Sequence, residues 1–340
     1  MDNLVGNVCV RERLQGVLRS SRCPHAFVIS GPRGVGKCSF VLELARTILN
    51  TKDETHPDLH IIKKEDVAWS SNPTLQRKKQ TNIPVDLLRE RMIGGTTSDG
   101  SKHGAVVYRT PVIGHKKVFV IDEAELLDES GQNALLKTLE EPPEDTIVFL
   151  ITSREDRLLQ TVLSRCHLYS FGPLNGGEMR EWVEWSGKNG VFCDWLCEWS
   201  CGSPGVFEEG ELSGVAELYG DVSVFLENPK SSETVGVVSR INDFLNNRQE
   251  LVLSENPNAS KEAVNRRGIE LLLRLFEWQS KQYIHCEDSG KDVGLGVLCS
   301  ETISDIEQQS YANISTKVLV ESLVVRWKQV FSGSNTATVG

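Results

Sequence analysis

The run GPRGVGKC at residues 31–38 carries the strongest chemical signal in this chain. Gly31, Gly36 and Lys37 match G-x-x-x-x-G-K-[ST] at every position except the last, where Cys38 replaces the hydroxyl residue. Glycines let backbone N–H groups curl round phosphates, the helix that follows adds a favourable dipole, and the lysine reaches the outer phosphates. Gly31, Gly34, Gly36, Lys37 and Cys38 are therefore candidate nucleotide-binding residues. The hydroxyl of the pattern ligates Mg²⁺, a hard cation that prefers oxygen, and a thiol is a poor substitute. A loop kept only as a structural turn is the competing reading, and Cys38 lends it weight.

Three further positions could complete a site. Asp122 and Glu123 follow the apolar run KVFVI (117–121). Carboxylates at a strand's carboxyl end face the phosphate loop, where ligands bind in such folds. The aspartate would hold Mg²⁺ through water and the glutamate could polarise an attacking water; otherwise the pair is a solvated helix cap. Thr152 and Ser153 end TIVFLIT (146–152), where a hydroxyl can approach the γ-phosphate or the attacking water. Arg165, in Ser164-Arg165-Cys166, follows DRLLQTVL and by itself reads as a surface charge, paired to a carboxylate such as Asp156.

The elements around these residues place them at one edge of a sheet. Residues 8–20 suit an amphipathic helix. HAFVIS (25–30) reads as a strand, the glycine-rich loop as a turn, and SFVLELARTIL (39–49) as a helix. KVFVI is an uninterrupted apolar run of the buried parallel type, SGQNALLKTLEE (130–141) is a helix stopped by Pro142 and Pro143, and TIVFLIT is a third strand. Strands alternating with helices predict an α/β fold with a doubly wound parallel sheet. Between the first helix and KVFVI lie the basic run QRKKQ (76–80), a short helix over 85–92, and GGTTSDGSKHG (94–104), expected to be a flexible surface loop. Beyond Pro173 the chain turns helical, acidic and Trp-rich to about residue 230, with further helical patterns at 237–253, 262–285 and 316–330.

Composition narrows the classes. The 340 residues carry a net charge of −10, with 39% hydrophobic and 25% charged residues, as in a soluble globular protein of two or three domains. No apolar run approaches the roughly 18–20 residues that span a bilayer, and the N-terminus lacks a signal-peptide plan, so a cytoplasmic protein without membrane contact is expected. Residues 173–230 hold 11 carboxylates against 3 Lys/Arg, which leaves room for a basic surface elsewhere. Arg77, Lys78 and Lys79 could touch nucleic-acid phosphate or simply be solvated. The nine cysteines fit reduced thiols. Cys193, Cys197 and Cys201 fall at i, i+4, i+8, but match no zinc or iron–sulfur spacing and read as core packing.

KVFVIDEAELLDESGQNALLKTLEEPPEDTIVFLITSREDRLLQTVLSRC (117–166) resembles the AAA+ clamp-loader ATPases of bacterial DNA polymerase III. NALLKTLEEPP (133–143) and the SRC triplet (164–166) are specific together; HAFVISGPRGVGK, THPDLHII (55–62) and IPVDLLRE (83–90) look like the same family. The likeness is close over about residues 3–173 and thin thereafter, though NISTKVLVESLVVRW (313–327) resembles the family's last collar helix. Three departures resemble the family's delta-prime branch: Cys38; GSPGVF (202–207), with Val206 where motor subunits supply an arginine; and a chain without their long extension. The family's four-cysteine zinc module belongs between Gly36 and Asp122, where only Cys38 stands, so no zinc is expected and no metal-ligand set is assigned.

The resemblance implies an AAA+ P-loop domain (1–172), a helical lid (173–212) and a helical collar (213–340) that holds a five-subunit ring together. It implies other clamp-loader subunits, a sliding clamp and primed DNA as partners, at most weak ATPase activity with weak ATP and Mg²⁺ binding, and no polymerase active site. Asp122 and Glu123 would be catalytic, Thr152 would join the nucleotide site, and Arg165 would act in trans on a neighbour's ATP. An ATP-hydrolysing gamma/tau-like motor subunit is the alternative, favoured by intact Lys37, Asp122 and Glu123. A small nucleotide kinase would leave LEEPP, SRC and the helical C-terminal third unexplained.

Overall fold

The computed structural model describes residues 4–20, 23–53, 55–230, 232–284, 293–312 and 314–333. Five strands make one parallel sheet: β1 (Ala26–Ser30), β2 (Leu59–Ile62), β5 (Lys117–Ile121), β6 (Thr146–Thr152) and β7 (His167–Ser170), in the order β2-β5-β6-β1-β7. The remaining two, β3 (Gly95–Thr96) and β4 (Lys102–His103), form a separate small hairpin. Register puts Phe27 beside Phe149, Ile29 beside Tyr169, and Ile62 beside Ile121. The three unbroken apolar runs are the central strands, since only a strand covered on both faces can be apolar throughout.

Alternation along each strand sorts side chains onto two cores. Phe27, Ile29, Val118, Val120, Phe149 and Ile151 meet α1 (Val8–Leu18) and α2 (Lys37–Leu49) on one face. Val28, Phe119, Ile121, Val148 and Leu150 meet α4 (Val85–Leu88), α5 (Glu129–Glu140) and α6 (Gln160–Leu163) on the other, with the one-turn α3 (Pro73–Gln76) adding Leu75. The doubly wound sheet expected from the alternating pattern is thus present. Asp128 caps α5 by accepting the Gly131 N–H at 2.7 Å, and the helix stops just before Pro142.

Four local expectations are corrected. The helix over 85–92 holds its α form only to Leu88 and loosens into a wider turn over Arg89–Ile93. The stretch 94–104 is not a free loop, because β3 and β4 pair across a turn in which Asp99 accepts from Thr97 and Ser101. Strands β2 and β7 complete the sheet at its two edges. Their four residues are partly exposed and interrupted by histidine and serine, so they lack the apolar continuity of the central runs. Cys201 does not share the helix of Cys193 and Cys197. That helix, α8 (Cys193–Trp199), ends first, and Cys201 is exposed at a φ of 49°.

Two buried charges organise the segment before β5. Asp58 accepts the backbone N–H groups of Val112 and Ile113 at 2.6 and 2.7 Å. Lys117, on β5 itself, donates from Nζ to the carbonyls of Val106, Val107 and Arg109.

By contact density the chain divides into two units: the residues up to Gly187 with Cys201–Val206, and Lys188–Ser200 with the chain from Phe207 on. The first also holds α7 (Gly176–Trp185), capped by Asn175. The second is helical: α8, most of α9 (Pro204–Ser213), α10 (Val215–Glu227), α11 (Thr234–Glu255), α12 (Lys261–Ile284), α13 (Val293–Ser310) and α14 (Thr316–Gly333). Expected helices at 237–253, 262–285 and 316–330 correspond to α11, α12 and α14; His285 and Asn313, the ends of two quoted segments, lie outside the described residues. Phe276 packs edge-on against Trp327, and Trp195 stacks between Trp199 and Tyr219. Glu209 on α9 accepts from Arg248 on α11 at 2.7 Å and from Arg267 on α12 at 2.6–3.1 Å. Among the described residues no helix is long and apolar enough to cross a membrane.

Candidate phosphate-binding site and arginine triplet

The glycine-rich loop runs from the end of β1 to the start of α2, the strand–loop–helix setting that phosphate binding requires. Gly31, Gly34 and Gly36 all have positive φ. At Gly31 a side chain is also excluded by space, since a Cβ would lie 2.1 Å from the Phe171 carbonyl oxygen. At Gly34 it would lie 2.5 Å from Ser203 Oγ. The loop is thereby backed by the GSPGV segment: Ser203 donates to the Arg33 carbonyl at 2.8 Å, and the Gly205 N–H to the Gly34 carbonyl at 2.9 Å. Val206, where motor subunits of the resembling family carry an arginine, is buried beside it.

Lys37 is 7% exposed and folds back on the loop, donating to the Gly31 and Pro32 carbonyls at 2.7 Å each. Burial pushes its ammonium down to about 8, against the pull of Glu125 and Asp122. Burial likewise pushes the Cys38 thiol up to about 12, and the hydrogen-bonded carboxylate of Asp122 adds to the effect. The sulfur is therefore a neutral thiol at physiological pH, not a thiolate ligand.

Asp122 and Glu123 sit at the carboxyl end of β5 as expected, but each has a cation partner. Lys63 and Lys64 follow β2, the neighbour of β5, and the Asp122 N–H donates to the Ile62 carbonyl at 3.0 Å. Lys63 Nζ lies 3.9 Å from Asp122 Oδ2. Lys64 Nζ lies 2.5 Å from one Glu123 oxygen and Arg33 3.4 Å from the other. Glu123 also holds a left-handed backbone, φ 53° and ψ 51°, a conformation that costs a side-chain-bearing residue roughly 1–2 kcal/mol. This donor set does not suit Mg²⁺: its third member is a thiol, and its carboxylates are already neutralised by ammonium and guanidinium groups. The loop and Lys37 do suit a phosphate chain.

Thr152 is buried at the end of β6, and its Oγ1 accepts the Arg154 N–H at 3.0 Å. Glu125, not singled out from sequence, joins the site through charge: it is the strongest electrostatic partner of Lys37. Its Oε1 accepts from both the N–H and the hydroxyl of Ser153, at 3.1 and 2.5 Å. Its position three residues after Asp122 was the available signal.

Arg165 stands on the partly exposed turn after α6. Its partner is Glu140, at 2.6 Å, in place of the expected Asp156, which pairs with Arg154. Arg165 also donates to the Thr161 carbonyl at 2.8 Å. Gln132, buried on α5, ties down the segment before α6: it donates to the Leu127 and Arg157 carbonyls and accepts the Leu159 N–H at 2.7 Å. Arg77, Lys78 and Lys79 are exposed.

Residues 7–175 match the family described as DNA polymerase III, delta subunit. These residues, just under half of the chain, match the clamp-loader subunits of DNA polymerase III. It is 28% identical over 165 residues to the delta-prime subunit of Bacillus subtilis, covering 48% of this chain and 47% of that one. It is 32% identical over 167 residues to the delta-prime subunit of Escherichia coli, covering 48% and 46%. It is 33% identical over 177 residues to the gamma/tau subunit of Mycobacterium bovis, covering 52% and 29%. The chain spans less than half the length of these clamp-loader relatives.

Proposed function

We propose that this chain is a delta-prime-like clamp-loader subunit, which supplies Arg165 to the ATP site of a neighbouring subunit and turns over little or no ATP itself. The observation that carries the reading is the contrast between two sets of residues in one unit. The arginine triplet is intact and displayed on a surface turn, whereas the chain's own site has a thiol at Cys38, cation-paired Asp122 and Glu123, and Val206 at the arginine position. A planar guanidinium presented across an interface can stabilise the charge on a transferring phosphoryl group, which an ammonium does poorly. The subunit's setting in this proposal is a hetero-pentamer that uses ATP to open a sliding clamp and place it on primed DNA.

The test is to reconstitute the ring with wild-type or Arg165→Ala protein, confirm equal assembly by sizing, and measure DNA-stimulated ATP turnover and clamp loading. Loss of a trans arginine costs about 10³–10⁵ at the affected site, so clamp loading should fall sharply and Arg165→Lys should rescue it poorly. Unchanged rates in an assembled ring would reject the role. A second reading, a gamma/tau-like motor subunit, is favoured by the intact Lys37 and by the 33% identity to a gamma/tau subunit. Turnover by the isolated chain at about 1 s⁻¹ or faster would select it.

A further inference from the structure

We propose that the phosphate loop of this chain takes a nucleoside polyphosphate without a divalent cation, with Lys63 and Lys64 supplying the positive charge that a metal would bring. The inference deepens the reading of this chain as a subunit that does not turn nucleotide over, and rests on it.

Three observations converge. The first is the donor set: Cys38 offers sulfur where a hard cation needs oxygen. The second is charge. Asp122 faces Lys63, and Glu123 lies between Lys64 and Arg33, so a dication brought to these carboxylates would meet three positive groups first. Lys64 also has Glu65 at 3.9 Å, which leaves the cluster close to neutral. The third is placement. Lys63 and Lys64 leave the carboxyl end of β2, on the sheet edge to which β1 delivers the loop and β5 delivers Asp122. Their ammonium groups are partly exposed, and can turn from carboxylate to phosphate without leaving that edge. Lys37, unlike them, is held by neutral acceptors, two loop carbonyls that a phosphate oxygen would outcompete for a charged donor.

In this arrangement the metal's two tasks separate. Charge on the phosphates is countered by Lys37, Lys63 and Lys64. The second task, geometry around an attacking water, has no free group to perform it, because Glu123 keeps Arg33 beside it when Lys64 turns to the phosphates. Retention of nucleotide without turnover follows.

The experiment uses the full chain and ATP, by calorimetric titration in Mg²⁺ and again in EDTA. The expected dissociation constants agree within about threefold. The double variant Lys63→Ala/Lys64→Ala, checked for an unchanged melting curve, should bind ATP in EDTA at least about tenfold more weakly, since two charge-assisted contacts are lost. Lys63→Gln/Lys64→Gln keeps the side-chain length and should show the same loss, which serves if the alanine variant melts early. Addition of Cys38→Thr to either should make binding respond to Mg²⁺. Wild-type affinity that rises tenfold or more with Mg²⁺, no ATP binding under either condition, or double variants that bind as tightly as wild type would each overturn the inference. None of these outcomes involves a partner subunit, so they leave the Arg165 experiment to decide the clamp-loader role separately.

Discussion

Removal of the Glu209 carboxylate should unfold the helical unit early. Glu209 is joined by four short hydrogen bonds to two arginines on different helices, and Arg248 also donates to the Val264 carbonyl. Burial pushes the Glu209 carboxyl up, but the hydrogen bonds and charges of Arg267 and Arg248 outweigh it, and the group lies below its ordinary value. In Glu209→Leu, Arg248 loses its carboxylate and Arg267 keeps only Glu270, at 2.7 Å. Breaking one partner of a buried ion pair costs about 3–5 kcal/mol, and the lower end applies because Glu209 is a quarter exposed. At roughly 2–4 °C per kcal/mol for a unit of this size, the transition should move down by about 6–12 °C. Near-UV circular dichroism follows it, because Trp195, Trp199 and Tyr219 stack within the same unit. The pH dependence has a definite sign. A depressed carboxyl stabilises fully above the ordinary value near 4.3, and that contribution disappears as pH falls through the lower folded value. Wild type should therefore lose stability below about pH 4 more steeply than Glu209→Leu. Adding Arg248→Met and Arg267→Met to Glu209→Leu should recover most of the loss. A single-variant cost under about 1 kcal/mol, or a triple variant no better than the single, would refute the reasoning.

Gln132→Leu should destabilise the sheet-bearing unit by about 2–3 kcal/mol, because one N–H and two carbonyls lose their partner; a lower urea midpoint and faster amide exchange at Leu159 would record it. Gly34→Ala should cost more than Gly36→Ala. Both need a positive φ, worth about 1–2 kcal/mol, but only at Gly34 does the added carbon meet Ser203, Gly205 and Val206; paired thermal melts check the difference. Lys117→Met should leave the central strands protected while amide exchange rises over residues 106–109, where three carbonyls lose their shared donor.

The sheet was legible where burial is two-sided. KVFVI and TIVFLIT are strands to the residue, because a strand with both faces covered leaves no polar position to blur its limits. The edges were not. His60 stacks on Phe119, and β7 exposes three of its four residues, so neither strand advertises itself. In the site, the glycine loop and the acids after β5 were readable from motif spacing. Lys63 and Lys64 were not, since nothing local says that two lysines after a weak edge strand will reach carboxylates sixty residues on. Glu140 was hidden as the partner of Arg165 for the same reason: the pair joins the end of one helix to the turn after another.

For Arg165 the ion pair with Glu140 has a kinetic consequence. Both side chains are a third to a half exposed, and such pairs are worth about 0–1 kcal/mol, less than twice the thermal energy. The pair therefore opens unaided many times in the picoseconds to nanoseconds of ordinary rotamer exchange. Any arriving surface that offers a stronger anion finds the guanidinium already sampling release, while between encounters Glu140 and the Thr161 carbonyl keep it in one place. Storage of the arginine thus sets no rate: in the proposed role, whatever limits its use is the approach of the neighbour, on timescales a millionfold or so longer.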